Sequence, residues 1–365
     1  MRKLYFIFVS CIALSIFNLA IMADGTDESQ NLNEIILKVN KLKEKDEYDE
    51  IIKLMNDEIG KGKNFQLYFD ILGGAYAGKK NSEDAYLSYL KGHLYNPTTE
   101  YSRDKLVKKM KYIENRASEL DKNSWIAKYL TAKKLFDDGD IINAEKKVSE
   151  LSSEGKNLDV LCILNKDIKS FKDVPKDSKA VVETFSEAES MFNKVIATQG
   201  NNCPEYVYYE LADLLFKTSK YEKALPNYQI SVTKNAMRRD NLLKVGICQL
   251  YIKNYGESKQ TFLQCVQKNS QYSEAYLYLG FSHWALKESD KAINAFTTVV
   301  NLNSTNNSAL KEKAKKAMVV VNKGDLFLTP NDMDKIIKAT QPDDKIKNNN
   351  ENKGKDENEK PVDKK

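Results

Sequence analysis

From Ser273 to Ser304 the chain reads SEAYLYLGFSHWALKESDKAINAFTTVVNLNS. Tyr276, Leu279, Gly280 and His283 fall at i, i+3, i+4 and i+7, the stripe of an amphipathic helix. Polar residues from Lys287 to Asp290 interrupt it, and a second stripe follows at Ala292, Phe296, Val299 and Val300. The pattern predicts two antiparallel helices. Small Gly280 and Ala292 let them approach, and the bulky positions fill the seam. The pattern returns at a period of 34 residues. At that spacing Phe296 is preceded by Phe262 and Tyr228, Gly280 by Gly246 and Ala212, Leu279 by Val245 and Leu211, and Ala292 by Ser258 and Ala224. Tyr255 and Tyr221 also share one position. Three units in one register predict a stacked repeat array.

Upstream, residues 31–64 form a weaker unit, with Ile35, Val39, Tyr48, Ile51, Met55 and Ile59 on the same apolar positions. The next unit is stronger, with Phe69, Leu72, Gly73, Tyr76, Ala85, Tyr89 and Gly92, and Pro97 is expected to stop its second helix after Tyr95. The register then lapses. Tyr101 to Glu119 reads as a Lys-rich helix without a clear partner. Trp125 to about Gly155 regains the pattern through Ala132, Leu135, Ala144 and Val148. Asn157 to Lys179 reads as irregular, with Pro175 inside it. Its Leu158–Phe171 part is taken as the diverged first helix of a unit whose second helix, Val181 to Ala197, carries Ala188 and Phe192. Pro204 opens the three-unit array.

Past Ser304, Leu310 and Ala314 continue the register in a helix from Ser308 to Val321. This predicts a cap for the apolar end of the array, with Lys311, Lys313, Lys315 and Lys316 towards water and Gly324 ending it. Thr329, Pro330 and Asp332 then suit the start of a short helix. From residue 341 the tail has almost no apolar residues and cannot bury enough surface to order itself.

These units resemble the tetratricopeptide repeat. That motif has a large residue at position 4, Leu-Gly at 7 and 8, Ala at 20 and an aromatic at 24. The unit from Ser273 departs at position 11, where His283 replaces the usual Tyr. The resemblance implies an all-α fold, a right-handed α-solenoid with a C-terminal capping helix. The organisation it implies is a leader (1–23), N-terminal repeats (24–100), a divergent helical region (101–203), three tandem repeats (204–306), a cap with a short helix (307–340) and a charged tail (341–365).

The resemblance also implies a concave binding face, built from positions 2, 5, 9 and 12 of each first helix. In the three C-terminal units this face takes Tyr206, Tyr209 and Phe216, then Leu243, Ile247 and Leu250, then Leu277, Phe281 and Trp284. Asp213, Asp240 and Glu274 form an acidic rim. Phe281 and Trp284 are not expected to face the second helix of their own unit. The Lys and Asn of the family's carboxylate clamp, at positions 5 and 9, are absent there. Two readings of the stripe stand: a partner protein fills it, or the chain covers it with its own neighbours or with Leu326 to Ile337.

The N-terminus reads as an address. Arg2 and Lys3 precede an apolar run from Leu4 to Met22, and Ala23 is a small residue before polar Asp24. This is the layout of a cleaved secretory signal. The competing reading is an inner-membrane anchor formed by residues 4–22, opposed by Ser10, Ser15 and Asn18. Both readings put the body of the protein outside the cytoplasm, and the Lys/Asn-rich composition suits a bacterial periplasm.

Composition adds exclusions. Against 57 basic and 52 acidic residues a net charge of +5 is small, so overall charge argues for no nucleic-acid partner. The two histidines, His93 and His283, fall on positions that pack between helices. No phosphate loop, metal-ligand spacing or nucleophile motif is present, so neither an enzyme nor a cofactor is expected. Cys248 and Cys265 serve as small apolar residues. Cys162 and Cys203 are the pair to expect if any disulfide forms.

The expectation is an exported scaffold or adaptor that binds proteins through its concave face, with any membrane contact made only by an uncleaved anchor. Exported members of the resembled family include envelope assembly factors and, in spirochaetes, the periplasmic collar of the flagellar motor. The competing expectation is a module that stacks cell-wall glycan or peptide on the aromatic groove.

Overall fold

The computed structural model describes residues 27–61, 66–95, 100–171, 179–235, 240–302, 308–326 and 329–338. The leader, Pro97, Pro175 and the charged tail lie outside them. The α-helices are α1 (Asp27–Glu44), α2 (Tyr48–Gly60), α3 (Gln66–Gly78), α4 (Ser82–Leu94), α5 (Glu100–Glu114), α6 (Trp125–Asp137), α7 (Ile141–Ser153), α8 (Leu158–Phe171), α9 (Lys179–Gln199), α10 (Glu205–Lys217), α11 (Tyr221–Lys234), α12 (Asn241–Tyr251), α13 (Tyr255–Lys268), α14 (Ser273–Ala285), α15 (Ser289–Asn301), α16 (Ser308–Asn322) and α17 (Pro330–Lys338). No strand occurs among the described residues.

Successive helices pack as pairs: α1 on α2, α3 on α4, α6 on α7, α8 on α9, α12 on α13 and α14 on α15. One contact recurs at the centre of the best-formed pairs. A Cβ added to Gly73 would lie 2.4 Å from the Tyr89 ring, one on Gly246 2.7 Å from Phe262, and one on Gly280 2.4 Å from Phe296. Each aromatic ring therefore fills the space a Cβ would take on the partner helix, closing the seam more tightly than any side chain would permit. In α6 and α7 the matching positions are Ala132 and Val148, both buried. There a methyl on the first helix faces a smaller side chain on the second.

The turns inside the pairs are equally regular. Asp46 and Lys80 have positive φ and are 34 residues apart, as are Ser219, Lys253 and Lys287 in sequence; Gly139 holds the equivalent turn of α6–α7. In each turn the next residue's N–H reaches the carbonyl five residues back at 2.8–2.9 Å, as Glu288 does to His283 and Asn254 to Gln249. This is the Schellman closure, which satisfies the carbonyls left over at a helix C-terminus.

The described residues form two compact units. One runs to Lys220 and includes Pro226–Arg239; the other comprises Tyr221–Leu225 and the chain from Asp240. In the first unit, the Lys-rich helix expected to lack a partner has one. α5 packs on α4 and buries Leu106, Met110 and Ile113. These sit at i, i+4 and i+7, an apolar stripe outweighed in the sequence by the lysines around it. Lys166 of α8 is buried against Glu210 of α10, with Asp167 at 3.5 Å. In the second unit α16 packs on α15 as the expected cap, burying Ala314, Ala317 and Val321, and Gly324 follows at φ 79.

Candidate functional site

The C-terminal inner face is closed. Leu250 of α12, Leu277, Phe281 and Trp284 of α14, and Met333 and Ile336 of α17 belong to one buried cluster. Phe281 is fully buried, and its ring meets Phe296 edge-on at 5.3 Å between centroids. The expectation that Phe281 faces away from its own second helix is therefore corrected. Beside Gly280 the two helices are close enough for Phe296 to reach both residues. The Trp284 indole donates to the Asp325 carbonyl at 2.9 Å, and the Tyr251 hydroxyl donates to Asp334 at 2.5 Å. Tyr251 in turn stacks on Tyr221 at 4.2 Å. Leu243 and Ile247 are also buried. The open apolar groove expected along these six residues is not present. Of the two readings of the stripe, coverage by the chain itself is the one observed for Leu250, Leu277, Phe281 and Trp284.

The three candidates on α10 divide. Tyr206 is fully buried, donates to Asp159 of α8 at 2.6 Å and meets the Tyr95 ring edge-on at 5.0 Å. Lys91 lies 3.2 Å from the same Asp159 carboxylate. Tyr206 is thus a core residue that satisfies a buried acid, not an exposed contact. Tyr209 and Phe216 are half-buried and rest against Tyr228.

A different inner face is open. Asn40 and Lys43 of α1, Leu67, Asp70 and Gly74 of α3, and Lys105 of α5 line a cleft of about 50 Å3. Lys109 pairs with Asp70 and lies 5.0 Å from the centre of the Tyr89 ring. Burial first, and then Lys109, pull the Lys43 pKa below its ordinary value; Asp70 opposes this and Lys105 adds to it. Lys43 and Lys105 join Asp70 in a lining that is otherwise largely apolar, through Val39, Ile51, Leu67, Ile71 and Ala75. Asn40, Lys43 and Asp70 occupy positions 9, 12 and 5 of the first two units. The inner-face rule applied to those units would have found them.

The four described cysteines are free and buried. The Cys162 thiol donates to the Asp159 carbonyl at 3.2 Å. The Cys162–Cys203 bond expected if any disulfide forms is absent. His283 lies 2.5 Å from Glu288 through its Nδ1. No group of side chains able to hold a metal ion, and no helix long and apolar enough to cross a membrane, occurs among the described residues.

Paired helices, glycine-to-aromatic seams and a repeated turn define an all-α repeat protein of helix–turn–helix units. Residues 274–305, which span α14 and α15, match the tetratricopeptide repeat family model. This segment is a tetratricopeptide repeat, in the register the sequence predicts. No curated protein matches it. Among solved structures it is similar to YrrB, a tetratricopeptide protein with an unusual peptide-binding site (18% identity, 56% of this chain and 97% of that one, TM-score 0.43). It is also similar to the C-terminal part of a repeat protein from Cytophaga hutchinsonii (14%, 77% and 98%, TM-score 0.43). A third is yeast Tom70 (15%, 76% and 60%, TM-score 0.37).

Proposed function

We propose that this protein is a non-catalytic scaffold of the bacterial cell envelope that holds a partner protein's segment against the inner helices of its N-terminal repeats. The observation that carries the reading is the cleft beside Lys43, open where the C-terminal face is closed. Its volume suits one side-chain head group, and Lys43 in its lining suits a carboxylate. An acidic side chain seated there would relieve the repulsion that Lys43 feels from Lys109 and Lys105. The glycan-stacking alternative needs exposed aromatic faces, and Phe281 and Trp284 are buried.

A photo-crosslinking residue placed at Asn40 should capture a defined partner in native cells, while one at exposed Ile142 should not. Equal capture from both positions would sink the assignment of the face. Lys43→Glu with Lys105→Glu should weaken binding of the captured partner at least tenfold, and the wild-type affinity should fall with added salt. The envelope location rests on Arg2, Lys3 and the run to Ala23. Mass measurement of the native protein should find an N-terminus near Asp24; an intact Met1 in the membrane fraction would favour the anchor, and one in the cytosol would overturn the location.

A further inference from the structure

We infer that the outer face of α16 docks the protein on an anionic lipid surface. α16 buries Ala314, Ala317 and Val321 on the side that packs on α15. The opposite side stays in solvent. Lys315, Val319 and Lys323 lie on it at i, i+4 and i+8, all exposed, with exposed Glu312 beside them. Val319, at the centre of this stripe, is 53% exposed. Gly324 ends the helix at φ 79, and the Trp284 indole then donates to the Asp325 carbonyl at 2.9 Å. That bond fixes the backbone from which Leu326 stands 61% exposed. Between Ser308 and Leu326 the chain has five lysines and two acids, Glu312 and Asp325.

A cap needs only a polar outer face. Val319 among the lysines and Leu326 beyond them depart from that need. A lysine stem is apolar and its ammonium reaches outward, so such a face settles at a membrane interface. The ammonium groups reach the headgroup phosphates, and the aliphatic tips enter the apolar layer beneath. Anionic headgroups supply the charge that matches the lysine excess. A protein partner fits this face less well. Lysine is depleted from protein interfaces, and the aromatic and arginine anchors that carry them are absent between Ser308 and Leu326. A second copy would set these lysines against the same lysines across a two-fold axis. The inference is independent of the N-terminal cleft.

The test uses the chain from Asp24, so that the apolar run from Leu4 to Met22 cannot bind lipid in place of α16. The probes are vesicles of phosphatidylglycerol mixed with phosphatidylcholine, and vesicles of phosphatidylcholine alone, read by flotation. The protein should float with the anionic vesicles and stay behind with the neutral ones. Lys315→Glu with Lys323→Glu should lower the partition coefficient about tenfold. Lys108→Glu with Lys111→Glu, the same charge change on α5, should leave it unchanged. All four lysines are exposed, so both variants should keep the fold. An environment-sensitive dye on Val319→Cys should brighten on anionic vesicles, and the same dye on Ile142→Cys should not; the four native thiols are buried and leave the new one to the label. Failure to float with anionic vesicles, equal loss from the α5 pair, or a dye at 319 that stays dim while the protein floats overturns the inference. A dye that brightens as much with poly-glutamate, or with protein concentration alone, would assign the face to an acidic protein or to a second copy and also overturn it.

Discussion

Gly280 and Gly74 show how one substitution can have opposite signs. At Gly280 an added methyl would lie 2.4 Å from the Phe296 ring, whereas at Gly74 it meets nothing within 4 Å. Gly280→Ala should therefore cost about 1–3 kcal/mol by overpacking. Gly74→Ala should gain about 0.5–1 kcal/mol from helix propensity. Urea melts of the two variants would show it, and equal effects would mean the seam relaxes freely. The turn lysines carry a related signature. Lys253 adopts φ 68 and Lys287 φ 61, a left-handed backbone that costs an L-residue roughly 1–2 kcal/mol. Lys253→Gly should raise stability by about 0.5–1 kcal/mol, since glycine removes the strain but gains unfolded-state freedom. A melting temperature that falls instead would mean the lysine stem does more packing than its exposure implies.

At the scale of elements, the N-terminal turn of α15 is a pH-sensitive junction. Glu288 occupies its N-cap, bonded to His283 and paired with Lys259 at 3.2 Å. The His283 bond first, and then Lys259, lower its carboxyl from the ordinary 4.5 to about 2. A depressed acid contributes in full above its unfolded value and loses that contribution as pH falls through the folded one. Stability should therefore decline between about pH 4.5 and 2, and Glu288→Gln should flatten that part of the profile in acid titrations followed by circular dichroism. Most element boundaries were legible, because a 34-residue self-comparison amplifies weak stripes. The packing partner of α5 was not, because the stripe of Leu106, Met110 and Ile113 lies in a helix whose other faces are rich in lysine. The occupancy of the C-terminal face was legible only as an alternative. Periodicity marks Phe281 and Trp284 as facing inward but is blind to whether Met333 returns to cover them.

For the whole molecule, the cysteines offer a direct check on the core. Burial raises the Cys162 thiol well above its usual range and pushes Cys203, Cys248 and Cys265 to about 12. The native chain should be silent to a thiol reagent at pH 8. Unfolded in guanidinium, the chain from Asp24 should react at four cysteines. Two reactive thiols after unfolding would reveal a disulfide that the folded geometry lacks. The N-terminal cleft escaped the sequence reading for a reason of the same scale. Its lysines meet only where α1, α3 and α5 come together, and a whole-chain balance of 57 basic against 52 acidic residues does not register them.

The left-handed turns have one more consequence. Lys80, Lys253 and Lys287 are exposed, and each sits where a first helix ends and a second has yet to begin. Trypsin cuts after lysine in exposed backbone that can open locally. Brief digestion of the native protein should therefore release residues 254–287, one period long, as the diagnostic fragment. That fragment joins the second helix of one unit to the first helix of the next, so its mass reads the length of one repeat without any structure at all.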